Sequence, residues 1–499
     1  MSALVPELVV ATLMSLYRMF AAYLLSLLIA LFTGIAMARN RVVETVLLPI
    51  LDVLQSIPIL GFFPVVLSVF VYALGPGVGG ELSAIVLITT SLVWNMIFGV
   101  YASVKSLDPS FDLMASVYRI PLPLKVALVY APASRTSLLS NSIISWAGGW
   151  FFLTSAEVIS MGSQTLKLVG LGSFIFDASN RGDAQAFAAG IAVLFAVILA
   201  TYILLWNPAV VKYTGLAILP GVAAVYDLLE KLTRLFWGLV VRAVLKLWVY
   251  SRRLALPATA LIPAALLGPR VELPGVSAVT FYDNMVKYLD MFLGNVWLTL
   301  VRVYVVVLVS LLISLPLAYL SHRRRATGLA ACTAGELLSS IPAVIWWPLL
   351  LPVAHIAPWF VMFFVYLQGA LWYVYFNVMI FGLQYVKRDV IELADVYRVR
   401  GFLYFKSVFI PAMLPSILTG LISASGGAWN ASIAAEYIAL ENFEVDMGGV
   451  GSLIDKLAAG GDALGVLFVA LYMSLVIVLL NRLVWRRLFA RMGSRFVVD

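Results

Sequence analysis

The chain has 499 residues, of which 63% are hydrophobic and only 12% charged, and its mean hydropathy is +1.02. A soluble domain carries about 25% charged residues, so a water-soluble globular protein is excluded. Apolar runs of the ~20 residues needed to cross a bilayer as helix recur instead, too long and uniform for barrel strands, which leaves an all-α polytopic bundle.

The first apolar run, about 13–38, has no basic segment ahead of it and exceeds a signal-peptide core, so it reads as a retained span. Spans are predicted near 12–38, 56–74, 82–104, 133–160 and 184–206. A second set falls near 291–320, 341–356, 358–383, 411–438 and 462–485. The chain therefore divides into 1–211, a linker 212–285, and 286–499. Within the linker, 228–253 carries Lys231, Arg234, Arg242 and Lys246 and reads as a basic interfacial helix. The run 254–267, interrupted by Pro257 and Pro263, reads as one more crossing, for about 11 in all.

The two sets are one unit written twice. Arg18 and Arg302 stand 284 residues apart, and the same offset relates Arg39 to Arg323, Asp52 to Glu336, Pro58 to Pro342 and Pro64 to Pro348. Further on the offset becomes 279, pairing Arg119 with Arg398, Pro132 with Pro411, Trp150 with Trp429, Glu157 with Glu436 and Gly172 with Gly451. Leu and Val could match by chance between two apolar sequences; Pro, Trp, Arg and Glu at a constant offset do not. Internal repeats mark pseudosymmetric transport folds. With the loops after the first, third and fifth spans of each set inside, nearly all Lys and Arg become cytoplasmic. The exceptions are Arg18, Lys167, Arg181, Arg270, Lys287, Arg302 and Lys456. The positive-inside rule then places the N-terminus outside and the C-terminus in the cytoplasm. An odd number of crossings must join the sets, so the repeats are parallel. The same rule accounts for the net charge of +8 without nucleic acid.

Each half has one long polar interruption between its third and fourth spans, at 106–130 and 385–409. It reads as a short helix, a turn, a second short helix and a Pro opening the next span, a position where the missing N–H costs nothing. This elbow is the sizeable cytoplasmic feature of each half, and a motor protein could push on it. The bland reading of its VYR triplet is a basic loop residue beside an interfacial Tyr; recurrence in both halves favours the functional one.

ELA at 392–394 followed by IPA at 410–412 resembles the EAA loop of ABC importer permeases. The segments 421–438, 145–159 and 51–64 resemble the nitrate/sulfonate/taurine branch, especially its duplicated, fused members. The resemblance implies a type I importer permease core in the plasma (inner) membrane. It implies as partners a cytoplasmic ABC ATPase dimer and an extracytoplasmic solute-binding protein, besides membrane lipid. It implies that the elbow is a coupling helix, with Ala115, Tyr118, Arg119, Glu392, Ala394, Tyr397 and Arg398 at or beside the ATPase contact. It also implies a small solute, with an anion of the nitrate, sulfonate or taurine kind as one candidate. One departure stands out: Arg119 and Arg398 occupy the family's usual Gly position, so the turn is expected from Pro121 and Pro123 or from Gly401.

Ionisable groups inside spans face a partner or a cavity. Glu157 and Glu436 lie seven residues, about two helical turns, beyond Trp150 and Trp429. Two placements are open. These four residues, with Asn430, line a translocation pathway, or each Glu pairs with Arg18 or Arg302 of the first span. Asn430 has no polar counterpart in the first half, where Phe151 holds the equivalent position, so the pathway is not fully symmetric. GGW and GAW (148–150, 427–429) offer small residues for close helix packing. Asp52 and Glu336 read as caps or ion pairs at the cytoplasmic ends of the second spans, and Gly170, Gly172, Gly449 and Gly451 as turns of an external loop.

No G-x-x-x-x-G-K-S/T loop is present, so ATP hydrolysis belongs to another subunit. The lone Cys332 permits neither an intramolecular disulfide nor a cysteine cluster. His322 and His355 stand on different elements and form no metal site, and no cofactor is expected. The competing reading is a secondary transporter with two parallel repeats, driven by protons through Glu157 and Glu436; a non-transporting scaffold leaves the duplicated Glu and Trp unexplained.

Overall fold

The computed structural model describes residues 4–56, 59–161, 164–206, 278–324, 352–386, 388–440 and 443–485, with Lys231 and scattered positions from 327 to 350. Helix α1 (Leu4–Arg39) is followed by α2 (Arg41–Ser56), α3 (Ile59–Lys105), α4 (Pro109–Val117) and α5 (Leu122–Lys125). A π-helical turn (Val126–Tyr130) leads into α6 (Ala131–Glu157). A hairpin of β1 (Val158–Met161) and β2 (Gln164–Lys167), α7 (Leu171–Asn180) and α8 (Ala184–Thr201) complete the first half. The second half contains α9 (Ala278–Arg323), α10 (Pro358–Phe376), α11 (Arg388–Val396), α12 (Gly401–Tyr404) and α13 (Ile410–Glu436). It ends with a hairpin of β3 (Tyr437–Leu440) and β4 (Phe443–Asp446), then α14 (Val450–Ala459) and α15 (Ala463–Leu480).

The duplication is visible element by element. From α6 onward every helix and strand bound of the first half recurs 279 residues later in the second, down to the terminal π-helical turns at Tyr202–Trp206 and Asn481–Trp485. The expected linker helix at 228–253, the extra crossing at 254–267 and Glu336 lie outside the described residues, as do most of the span expected near 341–356 and the side chain of Asp52. Seven of the described helices are long and apolar enough to cross a membrane. In α6 the polar Ser, Thr and Asn residues keep hydropathy down, yet it has the same 27-residue length as its qualifying counterpart α13.

The spans expected near 56–74 and 82–104 are two arms of α3. They meet at Gly75, whose φ of 80° and ψ of 167° are non-helical. A Cβ on Gly79 would lie 2.4 Å from the carbonyl oxygen of Phe70. A continuous helix rising ~1.5 Å per residue would separate those positions by more than 10 Å, so the chain doubles back. Glycine takes such a positive φ without steric cost.

Each half has its own core. In the first, α1 packs against the second arm of α3, which also meets α6, around Met19, Leu92, Trp150 and Leu153. In the second, α9, α10 and α13 enclose Val303, Tyr366, Val374 and Trp429. The halves meet where α2 and α3 lie against α15 and where α3 touches α13 and α14.

Candidate functional site

Glu157 and Glu436 are the last residues of α6 and α13, where a carboxylate meets the negative end of the helix dipole. The following segment compensates. In each half the short helix after the hairpin aims its N-terminus back at the carboxylate: the Gly172 N–H donates to Glu157 Oε2 at 2.7 Å and the Gly451 N–H to Glu436 Oε2 at 2.8 Å. This is the favourable end of a helix for an anion. A Cβ on Gly170 or Gly449 would fall 2.2 or 2.3 Å from that carboxylate, so the paired glycines of the expected loop are there to let it approach.

The structure pairs each Glu with the arginine of the first helix. Arg18 Nη1 donates to Glu157 Oε1 at 2.9 Å and to the Val169 carbonyl at 2.8 Å. Its Nε and Nη2 donate to Glu81 at 2.8 and 2.6 Å, a bidentate fork. Ser15 Oγ adds a donor to Glu157 at 2.5 Å. In the second half Arg302 Nη1 donates to Glu436 at 2.8 Å and to the Gly448 carbonyl at 2.6 Å, and its Nη2 donates to the Met447 carbonyl at 2.7 Å. Glu436 also accepts from Tyr366 Oη at 2.7 Å and Thr299 Oγ1 at 2.9 Å. Both carboxylates are fully buried. Glu81 and Tyr366 were missed by the sequence reading. Glu81 sits one residue outside the expected span, where an ionisable group carries no special meaning; nothing in the sequence distinguishes Tyr366.

A cavity of about 160 Å³ lies between the halves. Its walls include equivalent residues from both repeats: Ala147 with Gly426, Gly148 with Gly427, Phe151 with Asn430, and Trp94 with Tyr373. It therefore straddles the pseudo-two-fold relation. Of the residues expected to line a pathway, Asn430 borders it. Trp150 and Trp429 do not border it and are fully buried in helix packing; Glu157 and Glu436 do not border it either and take the other placement left open, their ion pairs with Arg18 and Arg302. Asn430 also joins the halves, its Oδ1 accepting the Ile59 N–H at 2.6 Å.

The two elbows are built alike. Ala115 on α4 and Ala394 on α11 are buried anchors, while Tyr118 and Tyr397 are each 73% exposed. Arg119, Arg398 and Glu392 are also exposed. Around them Leu113, Val117, Leu393 and Val396 leave apolar side chains in the open. The turn corrects the expectation from Pro121, Pro123 and Gly401: Arg119 and Arg398 themselves adopt φ of 48° and 55°. In each half the next N–H closes back onto the buried alanine, Ile120 to Ala115 at 2.9 Å and Val399 to Ala394 at 2.8 Å. The arginine N–H bonds Ser116 or Asp395 at 3.1 Å. These are the paired bonds of a left-handed helix C-terminus that usually ends on Gly, here formed by arginine at a steric cost. Gly401 has a positive φ as well, 60°, three residues later.

The tethers of the elbows differ. On the first, Asp112 pairs with Arg39 at 2.6 Å and Lys125 at 3.4 Å and accepts from Tyr130. Burial pushes this carboxyl up, but the Tyr130 hydrogen bond and the two cations outweigh it and hold it below its ordinary value. On the second, His322 Nε2 lies 3.0 Å from Tyr404 Oη, and the Arg323 guanidinium covers the rings of Tyr319 and Tyr404 at 5.4 and 5.1 Å.

The chain is similar to the nitrate import permease protein NrtB of Synechococcus elongatus, 24% identical over 170 residues, which are 34% of this chain and 56% of that one. The bicarbonate transport system permease protein CmpB of the same organism is 24% identical over 170 residues, 34% of this chain and 57% of that one. A protein of Methanocaldococcus jannaschii named as an ABC transporter permease is 30% identical over 200 residues, 38% and 73% of the two chains. The chain thus spans little more than half the length of the first two. The family described as binding-protein-dependent transport system inner membrane component matches at residues 24–207 and again at 310–491. With both matches in one multi-pass polypeptide, this chain belongs to that family as a duplicated ABC importer permease, and is not itself the ATPase.

Proposed function

We propose that the chain forms the whole translocation pathway of the importer, with the cavity between its halves as part of the route and the two elbows as the points where a separate ATPase dimer applies force. The observation that carries this reading is the repeated elbow. Two short helices, each fixed by a buried alanine and closed by a left-handed arginine, present Tyr118 or Tyr397 with neighbouring apolar side chains. Apolar side chains left open around an exposed tyrosine on a polar, water-facing elbow fit the docking of another protein. Both elbows then face the cytoplasm, the N-terminus lies outside, and a solute-binding protein delivers cargo from the far side. A small solute is the cargo; relatives are named for nitrate import and for bicarbonate transport.

The test is co-purification of the full chain with a nucleotide-binding subunit. Wild type is expected to recover it, with no ATPase activity from the chain alone, and Ala394→Glu or Arg398→Asp to lose most of it. Wild-type recovery from both variants would remove the coupling role of the elbows.

A further inference from the structure

One helix ending recurs in both halves at two places, and the chain builds it from two different residues. After α7 and α14, Gly182 and Gly461 hold φ of 67° and 73°. Each N–H bonds back three residues, to the carbonyl of Ser179 or Ala458. The next N–H, of Asp183 or Asp462, bonds back five, to Ala178 or Leu457. After α4 and α11 the backbone bonds follow the same pattern, but Arg119 and Arg398 stand in the left-handed position. Every other positive φ among the described residues belongs to glycine.

Glycine would make this turn without the clash between Cβ and the following carbonyl. That clash costs more than an exposed cation gains from the negative end of a helix. The positive-inside rule does not require a cation there either. Lys125, Arg400 and Lys406 already bring basic charge to the elbows from backbone of negative φ or helical form. Packing does not explain the arginines, because both side chains are exposed. Their immediate neighbours Val117 and Tyr118, and Val396 and Tyr397, are exposed as well.

We propose that the Arg119 and Arg398 guanidiniums are docking groups, each taking a carboxylate of the nucleotide-binding subunit seated on its elbow. The inference deepens the coupling role argued above and rests on it. A cation covered by a partner together with apolar neighbours needs a counter-charge in that partner, or its desolvation is uncompensated. The planar fork of arginine meets a carboxylate through two parallel hydrogen bonds. A turn closed by two backbone bonds holds the base of that side chain at one fixed point, which suits a rigid partner. A lipid headgroup makes no such demand, since a long basic side chain on ordinary helix reaches it by snorkelling. Two equivalent arginines also match a partner made of two equivalent subunits.

The test titrates a purified nucleotide-binding subunit, identified by its own ATP hydrolysis, onto the full chain in nanodiscs of phosphatidylcholine and, in parallel, of phosphatidylglycerol. The double variant Arg119→Gly with Arg398→Gly is expected to melt at or above the wild-type temperature, because glycine relieves the turn. Its affinity for the subunit is expected to fall about a hundredfold in both lipids, roughly tenfold for each lost charge-assisted pair. Raising salt should weaken the wild-type complex and barely move the variant. Arg119→Asn with Arg398→Asn, neutral and tolerant of the left-handed region, should match the glycine pair. Arg119→Lys with Arg398→Lys keeps the charge without the fork and should fall between. Wild-type affinity in the glycine or asparagine pair overturns the proposal, as does a loss that leaves the salt dependence intact. A lower melting temperature in both pairs would make the arginines structural, and a loss confined to phosphatidylglycerol would give them to lipid headgroups; either result overturns it too. If Ala394→Glu abolishes binding while the glycine pair binds as wild type, this inference alone falls. If neither change weakens binding, the coupling role of the elbows falls with it.

Discussion

The two halves share a backbone plan and solve the same problems with different chemistry. Glu157 and Glu436 occupy equivalent helix ends and accept from equivalent glycine N–H groups. Yet Arg18 is shared between two carboxylates, whereas Arg302 meets one carboxylate and two backbone carbonyls. The elbows repeat the lesson, one tethered by the Asp112 ion pairs and the other by His322 and the tyrosines. In the hairpins the polarity is reversed: Lys167 pairs with Asp177, and 279 residues later Asp446 pairs with Lys456. Geometry constrains such a duplicated unit more tightly than residue identity does, provided each buried charge and helix end finds a partner.

The largest effect is expected at the buried arginines. Removing one partner of a buried pair costs about 3–5 kcal/mol. Arg18→Ala leaves Glu157 with Ser15 and Gly172 as donors and with Glu81 nearby. Arg302→Ala leaves Glu436 with one donor more, Tyr366, Thr299 and Gly451, and with the Asp455 carboxyl nearby. Thermal unfolding in detergent should therefore show the greater loss for Arg18→Ala; equal losses would mean that the extra donor does not matter.

An intermediate effect separates the elbows. Asp112→Asn removes a partly exposed ion pair, worth ~1 kcal/mol or less, and amide exchange in α4 should accelerate at low salt and converge with wild type as salt screens the charges. Tyr404→Phe removes the His322 contact, and the faster exchange expected around α12 should not depend on salt. Salt dependence at both elbows would erase the distinction.

Much of this was legible beforehand, for a physical reason. Arg, Glu, Pro and Trp are conspicuous in apolar sequence, so the repeat, the elbows and the arginines as candidate partners of Glu157 and Glu436 could be named. The break between the spans at 56–74 and 82–104 could be placed as well; that the two arms meet at Gly75 on a positive φ, rather than through a longer loop, could not. The left-handed arginines ran against propensity: sterics disfavour a side chain there by about 1–2 kcal/mol, and the fold imposes the conformation twice. Which face of α6 and α13 meets the cavity depends on helix rotation, so Asn430 could not be separated from Trp150 and Trp429 by spacing.

The smallest expected effect lies in the reversed hairpin pairs. The Lys456 hydrogen bond, helped by Ser452, holds the Asp446 carboxyl down at about 2. A depressed carboxyl stabilises the folded state fully above its unfolded value of ~3.9, and this contribution disappears as pH falls through about 2. Protease resistance of the 437–446 hairpin should decline over that window and stay flat above pH 5. Asp446→Asn should abolish the dependence, and the double exchange Asp446→Lys with Lys456→Asp should restore it. A dependence that survives Asp446→Asn would assign it to another group.

A motor in the cytoplasm can drive both elbows only if both reach the same aqueous compartment. Single-cysteine chains carrying Tyr118→Cys or Tyr397→Cys on a Cys332→Ser background can be treated with a membrane-impermeant thiol reagent in inverted and right-side-out vesicles. Both positions are predicted to react in inverted vesicles and to be protected in right-side-out ones. Reaction of the two from opposite sides, or of both from the exterior, would contradict a duplicated permease driven from the cytoplasm.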